Sequence, residues 1–161
     1  MRSIKENIMP IYFYSTRDKY GCFSNFSAHG FELDGLYWKT SEHYFQAQKF
    51  AGHPEHLEAI RIAKTPKDAA TKGRERTRPL RADWEAVKDD IMRKAVLKKF
   101  ETHEDILEVL LSTGNEELVE KTTGDYYWGC GTNGTGKNML GKILMETRDI
   151  LKQKAERNKG L

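Results

Sequence analysis

At 161 residues and 18.6 kDa the chain is long enough for one self-sufficient core, which at this size needs no disulfide or metal staple. Its 27 basic and 24 acidic side chains leave a net charge of +3, too small for a dedicated polyanion binder, and 11% aromatic residues argue against disorder. No run approaches the ~20 apolar residues of a membrane span, no apolar leader is visible, and Cys22 and Cys130 lie outside any C-x-x-C spacing. The chain therefore reads as soluble and cytoplasmic, without a zinc site or disulfide framework.

In chain order, Ile11–Tyr14 (IYFY) has the aromatic and β-branched composition of a short buried strand. A turn-like cluster, Asp18 to Gly21, leads to Phe23-Ser24-Asn25-Phe26. Phe31–Leu33 and Leu36–Trp38 flank Asp34-Gly35, the strongest hairpin signal in the sequence. Helices dominate afterwards. Thr40 caps a helix through Phe50 or Ala51, and Pro54 to about Lys64 forms a second with Leu57, Ile60 and Ala63 inward. Thr65-Pro66 starts a third that stops at Gly73. A basic connector, Arg74 to Arg81, precedes a long helix from Asp83 or Trp84 to Phe100, with Trp84, Val87, Ile91 and Ala95 at helical spacing. His103–Leu111 is another helix, and Leu118-Val119 begins a short extended piece. A glycine-rich stretch, Gly129 to Gly136, opens a final amphipathic helix from Met139 to Leu151, beyond which a polar tail frays. The predicted fold is predominantly α-helical (α+β), one domain of about six helices with a few short N-terminal strands. It spans residues 10–152, with tails at 1–9 and 153–161.

Four constellations could carry chemistry. Glu42, Gln46 and Lys49 fall at i, i+4 and i+7 on one helical line, where a carboxylate, an amide and an amine address either a polar substrate or, more commonly for such stripes, only solvent. His43 has no partner at ligand spacing and reads as a packing histidine. Arg74, Arg76, Arg78 and Arg81 could grip a phosphate through their planar forks or simply solvate a connector. In Gly124-Asp125-Tyr126-Tyr127-Trp128-Gly129 a carboxylate beside aromatic rings suits a flat base on a ribose, or a surface turn with Trp128 packed inward. Finally, Gly131 to Asn138 nearly matches a P-loop, but Asn138 replaces the metal-binding hydroxyl and no downstream strand follows. An NTPase is excluded. What remains is the expectation that free backbone N–H groups before the last helix cradle an anion.

Several stretches together resemble the YbiA-like N-glycosidases, or NADAR family: Ile11–Ser15, Phe23–Phe26, Trp38–Phe50, Asp83–Phe100 and Tyr127–Gly141, in order and without large gaps. The block Ser41-Glu42-His43-Tyr44-Phe45-Gln46-Ala47-Gln48-Lys49-Phe50 is the most specific. The resemblance implies hydrolysis of an N-glycosidic bond without metal or cofactor. The substrate it implies is a small phosphoribosylamino-pyrimidine of early riboflavin synthesis, or, as in other members, ADP-ribosylated guanine in nucleic acid or nucleotides. It implies catalytic roles for Glu42 and Asp125, a Schiff-base role for Lys49 and a site role for Trp84. Cys130 departs from the acid that often follows Trp-Gly in the family. Because bond cleavage builds positive charge on the ribose, Glu42 is expected to stabilise it or act as acid and base, and Asp125 to orient ribose hydroxyls or water. Trp84, Gln46, Asn25, Trp128, Arg74, Arg78 and Asn138 complete the expected substrate-contacting set. A non-catalytic nucleotide or nucleic-acid binding module, suggested by the four arginines and interleaved aromatics, is the rival reading, and the sequence says nothing firm of oligomeric state.

Overall fold

In the computed structural model, which describes residues 9–160, the chain divides into two units: Asn25–Glu104, and the segments on either side of it. The expected N-terminal tail lies, apart from Met9, outside the described residues.

The central unit begins with the hairpin of β1 (Phe31–Leu33) and β2 (Leu36–Trp38), antiparallel with Phe31 opposite Trp38. Asp34 (φ 55°) and Gly35 (φ 79°) both take the left-handed conformation that a two-residue turn matching strand twist requires. The Asp34 carboxylate is held by the Tyr44 hydroxyl at 2.7 Å and by Lys94 at 2.6 Å, tying the turn to two helices. Those helices are α1 (Ser41–Gln48) and α4 (Trp84–Thr102); between them come α2 (Pro54–Arg61) and α3 (Pro66–Gly73). Two of the predicted caps form as the sequence signals: Thr40 accepts from the His43 N–H at 3.1 Å, and Thr65 from that of Asp68 at 3.0 Å. Asp83 holds the cap position of α4, but its carboxylate pairs with Arg81 instead of capping.

Phe31, Trp38, Tyr44, Ala47, Phe50, Ile60, Ala63, Ala69 and Ala95 form the core of this unit. Helix α1 packs against α2, α3 and α4 together, and every residue from Ser41 to Ala47 is buried. The stripe expected on α4 is rotated from the prediction. Met92, Ala95, Val96, Lys99 and Phe100 are buried with Trp84, whereas Val87 and Ile91 are only partly covered.

In the other unit, β3 (Ile11–Phe13) pairs in parallel with β4 (Leu118–Glu120), Ile11 opposite Leu118. Strand β4 is the short extended piece expected at Leu118-Val119, and its parallel partner comes from a distant part of the chain, as a crossover connection requires. Helix α5 (Glu104–Ser112) precedes β4 and α6 (Met139–Lys159) packs against it. The buried Arg148 guanidinium donates to Thr113 Oγ1 and the Glu116 carbonyl, both at 2.9 Å, fastening the loop between α5 and β4. Helix α6 runs to Lys159 and does not stop at Leu151; Lys, Gln, Ala, Glu and Arg are all good helix formers, so the polar segment sustains what fraying was expected to end.

Candidate active site

The line Glu42–Gln46–Lys49 is not a solvated stripe. Surrounded by three helices, Glu42 is 7% exposed and Gln46 3%, with Lys49 half-buried at the helix end. Gln46 Nε2 donates to Glu42 Oε2 at 2.7 Å, so the amide fixes the orientation of the carboxylate one turn before it. Gln46 Oε1 is buried without a hydrogen-bond partner. It sits against Gly73, where any Cβ would overlap it and crowd the Gln46 Cβ and Cδ. A residue larger than glycine at the end of α3 would therefore displace the amide that holds Glu42.

Lys49 Nζ donates to the Gly73 carbonyl at 3.2 Å and lies 5.7 Å from the centre of the Trp84 ring. Burial pulls its amine down from the ordinary lysine value to about 8; the negative charge of Glu42 works against this, and the positive charges of Arg74 and Arg76 add to it. Trp84, 6% exposed, also packs on Phe45 with ring centres 5.0 Å apart, so it is a core residue whose ring at the same time neighbours Lys49. A buried carboxylate, an amine that reaches its neutral form near pH 8 and an indole face are the groups needed to stabilise a sugar cation and to capture a carbonyl.

Other predicted residues are engaged locally. Asn25 accepts from Ser41 Oγ through Oδ1 at 2.9 Å and from the Glu42 N–H through its carbonyl at 3.1 Å, while its Nδ2 reaches Met92 Sδ. It fastens the first turn of α1. Arg78 is committed to Glu75 at 2.8 Å and His56 at 2.9 Å. Arg81 grips Asp83 with two nitrogens and caps α1 through the Gln48 carbonyl at 3.2 Å. Arg74 and Arg76 are exposed, and their guanidinium groups make no hydrogen bond or ion pair among the described residues.

The glycine-rich segment overturns an expectation. From Cys130 to Leu140 every backbone N–H already has an acceptor inside the unit, so no anion cradle exists. Gly131 donates to Thr122 Oγ1, Thr132 to the Thr123 carbonyl, Asn133 to the Tyr126 hydroxyl and Thr135 to Asn133 Oδ1. Gly136, Lys137, Asn138, Met139 and Leu140 donate to the carbonyls of Cys130, Tyr126, Gly129, Tyr127 and Trp128. The donors that a helix start leaves unpaired are thus taken by the preceding turn. Asn138, at φ 53°, is bound on both sides to β4: Oδ1 accepts from the Glu120 N–H at 3.0 Å and Nδ2 donates to the Leu118 carbonyl at 2.9 Å. Its side chain secures the strand through both of its polar atoms. Asp125 Oδ1 accepts from the N–H groups of Tyr127 (2.9 Å) and Trp128 (2.8 Å), shaping the turn in which Tyr127 and Trp128 meet edge to face. Cys130 Sγ points to the Gly131 carbonyl at 3.4 Å.

The sequence reads Gly73 only as the end of a helix and leaves Arg76 out of the expected contact set. The signal for both was the short stretch Gly73-Arg74-Glu75-Arg76 closing a capped helix. Among the described residues no group of three or more His, Cys, Asp or Glu could hold a metal ion, and no helix is long and apolar enough to cross a membrane.

Comparison with known proteins adds to this geometry. The sequence profile of the NADAR domain matches residues 12–152. The chain is 55% identical over 146 residues to a Nostoc punctiforme protein named N-glycosidase Npun_R5314, covering 89% of this chain and 94% of that one. The NMR structure of the Escherichia coli protein YbiA superposes with a TM-score of 0.83 at 51% identity, covering 90% of this chain and 86% of that one. A maize protein named riboflavin biosynthesis protein PYRR, chloroplastic, is 41% identical over 152 residues, 86% of this chain and 24% of the maize protein.

Proposed function

Because this chain belongs to the NADAR family, we propose that it is an N-glycosidase that hydrolyses the C1′–N bond of a phosphoribosylamino-pyrimidine, an intermediate of early riboflavin synthesis. The observation that carries the reading is the buried Glu42 carboxylate, held by Gln46 at 2.7 Å on the same helix line as a desolvated lysine amine. The names of the Nostoc and maize relatives support the reaction class and the substrate class respectively.

As the C1′–N bond lengthens, positive charge builds on C1′ and the ring oxygen. A carboxylate fixed before the reaction begins stabilises that charge without having to reorganise, typically the largest single contribution to such catalysis. Water adds to C1′, one of its protons ends on the departing nitrogen, and the products are ribose 5-phosphate and the free aminopyrimidine. Lys49 offers a covalent route. Its neutral amine displaces the pyrimidine amine at C1′ while the ring oxygen takes a proton, leaving an imine to the opened sugar that water then hydrolyses. Trp84 supplies an apolar wall beside that amine. For Asp125 the proposal is kinetic and rests on the family resemblance: Asp125→Asn keeps the acceptor that shapes its turn but lowers turnover.

The deciding experiment incubates purified protein separately with the phosphoribosylamino-pyrimidine and with ADP-ribosylated guanine. Release of ribose 5-phosphate and free base from the first alone supports the proposal. Turnover of the second alone replaces its substrate, and turnover of neither, with binding retained, turns the protein into the rival binding module.

A further inference from the structure

The four arginines after α3 have two different fates. Arg78 and Arg81 are occupied, the first by Glu75 and His56, the second by Asp83 and the end of α1. Arg74 and Arg76 are exposed and their guanidinium groups unpartnered among the described residues, yet both act electrostatically on Lys49. The connection is short: Lys49 Nζ is 3.2 Å from the carbonyl of Gly73, and Arg74 is the next residue. Gly73 itself is packed against Gln46, so the start of this turn is seated on the helix that carries Glu42. Three cations therefore gather at one end of α1 against the buried Glu42; the other carboxylate that acts on Lys49, Glu85, is exposed and already paired with Lys88, so the cluster has room for a further anion. The glycine-rich segment, the other place where a phosphate could have been held, has no N–H to offer.

We propose that Arg74 and Arg76 form the phosphate clamp of the substrate, gripping a phosphomonoester dianion beside Lys49, while Arg78 and Arg81 only hold the turn in shape. The assignment deepens the N-glycosidase reading and rests on it for the identity of the substrate. The chemistry fits a phosphomonoester: two planar guanidinium forks can each donate a pair of hydrogen bonds to its three terminal oxygens. A lone carboxylate would leave one fork unused.

The test measures binding of ribose 5-phosphate, inorganic phosphate and unphosphorylated ribose by calorimetry to the full chain and to Arg74→Gln, Arg76→Gln, the double variant and Arg78→Gln. Loss of one charge-assisted contact is expected to weaken ribose 5-phosphate by roughly tenfold, and loss of both by about a hundredfold. Ribose binding stays unchanged. In turnover the loss falls on KM more than on kcat, and Arg78→Gln stays within about twofold of the parent in phosphate affinity. A double variant that binds ribose 5-phosphate like the parent, or an Arg78→Gln variant weakened equally, overturns the assignment; so does a parent that binds neither phosphate. If the clamp variants behave as expected but no N-glycoside is turned over, the clamp stands and the proposed reaction falls.

Discussion

The end of α1 and the start of α6 invite opposite readings from their sequences and reverse them in the structure. Gly131 to Asn138 carries the more suggestive motif, a near P-loop at a helix start. Yet its backbone donors are all paired, and Asn138 is fixed at both polar ends. Glu42–Gln46–Lys49 looks like an ordinary helix surface, yet it is largely buried and keeps unused capacity: an unpaired Gln46 oxygen, a half-buried amine and two unpartnered arginines nearby. In the proposed reading the site lies at the end of α1, where polar groups are held but not all satisfied, while the backbone of the glycine-rich turn is spent on building the fold.

The largest effect expected from this contrast is that of Glu42→Gln. The amide retains an acceptor for Gln46 Nε2, so the fold and thermal midpoint stay close to the parent, while kcat drops on the order of 10²–10³-fold. Full activity in this variant would move the chemistry away from α1. Next is Lys49. Borohydride added during turnover should trap a sugar adduct at this residue, and Lys49→Met should abolish the trapping along with most of the activity. Because only the neutral amine attacks, the rate of the imine step should rise with pH through about 8, the value set chiefly by burial; a profile flat through that region removes the covalent route. The same depression has a consequence for stability. The folded protein pays to hold a charged Lys49, and this penalty is complete below about 8. It is relieved as pH climbs toward the ordinary lysine value of 10.5, so Lys49→Met should flatten a small gain in stability across that window.

At the other pole, Asn138→Ala should cost about 2–4 kcal/mol of unfolding free energy, because a buried strand donor and acceptor lose their partners together. Activity per folded molecule should remain, and denaturant unfolding combined with active-site titration separates the two. Phosphate affinity reduced by this substitution in a fully folded sample would return the glycine-rich turn to the site. The smallest effect is at Thr40, where loss of the cap to the His43 N–H should cost about 1 kcal/mol. Thermal unfolding of Thr40→Ala would register it.

Much of the fold was legible because its signals are local. Asp34-Gly35 names a turn through its own backbone preferences; Thr40 and Thr65 announce helix starts through bonds only three residues long. The rotation of the α4 stripe was not legible. Periodicity says that one side is covered, but neighbouring helices decide which, and they chose Met92, Val96 and Lys99 over Val87 and Ile91. The parallel pairing of β3 with β4 was equally hidden, since no sequence-local rule joins Ile11 to Leu118. In the site, helical spacing put Glu42, Gln46 and Lys49 on one line. It could not show that Gly73 leaves room for the Gln46 amide, or that Arg78 has His56 and Glu75 to hold while Arg76 has nothing.

By itself the sequence determined the helices, the hairpin, the caps and the family, all of which depend on interactions between residues near in the chain or on long matching blocks. Only the tertiary structure decided which polar groups were already satisfied. Satisfaction is a matter of which distant atom arrives within about 3 Å, and packing brings Gly73 to Gln46 and the Tyr126–Trp128 carbonyls to the start of α6.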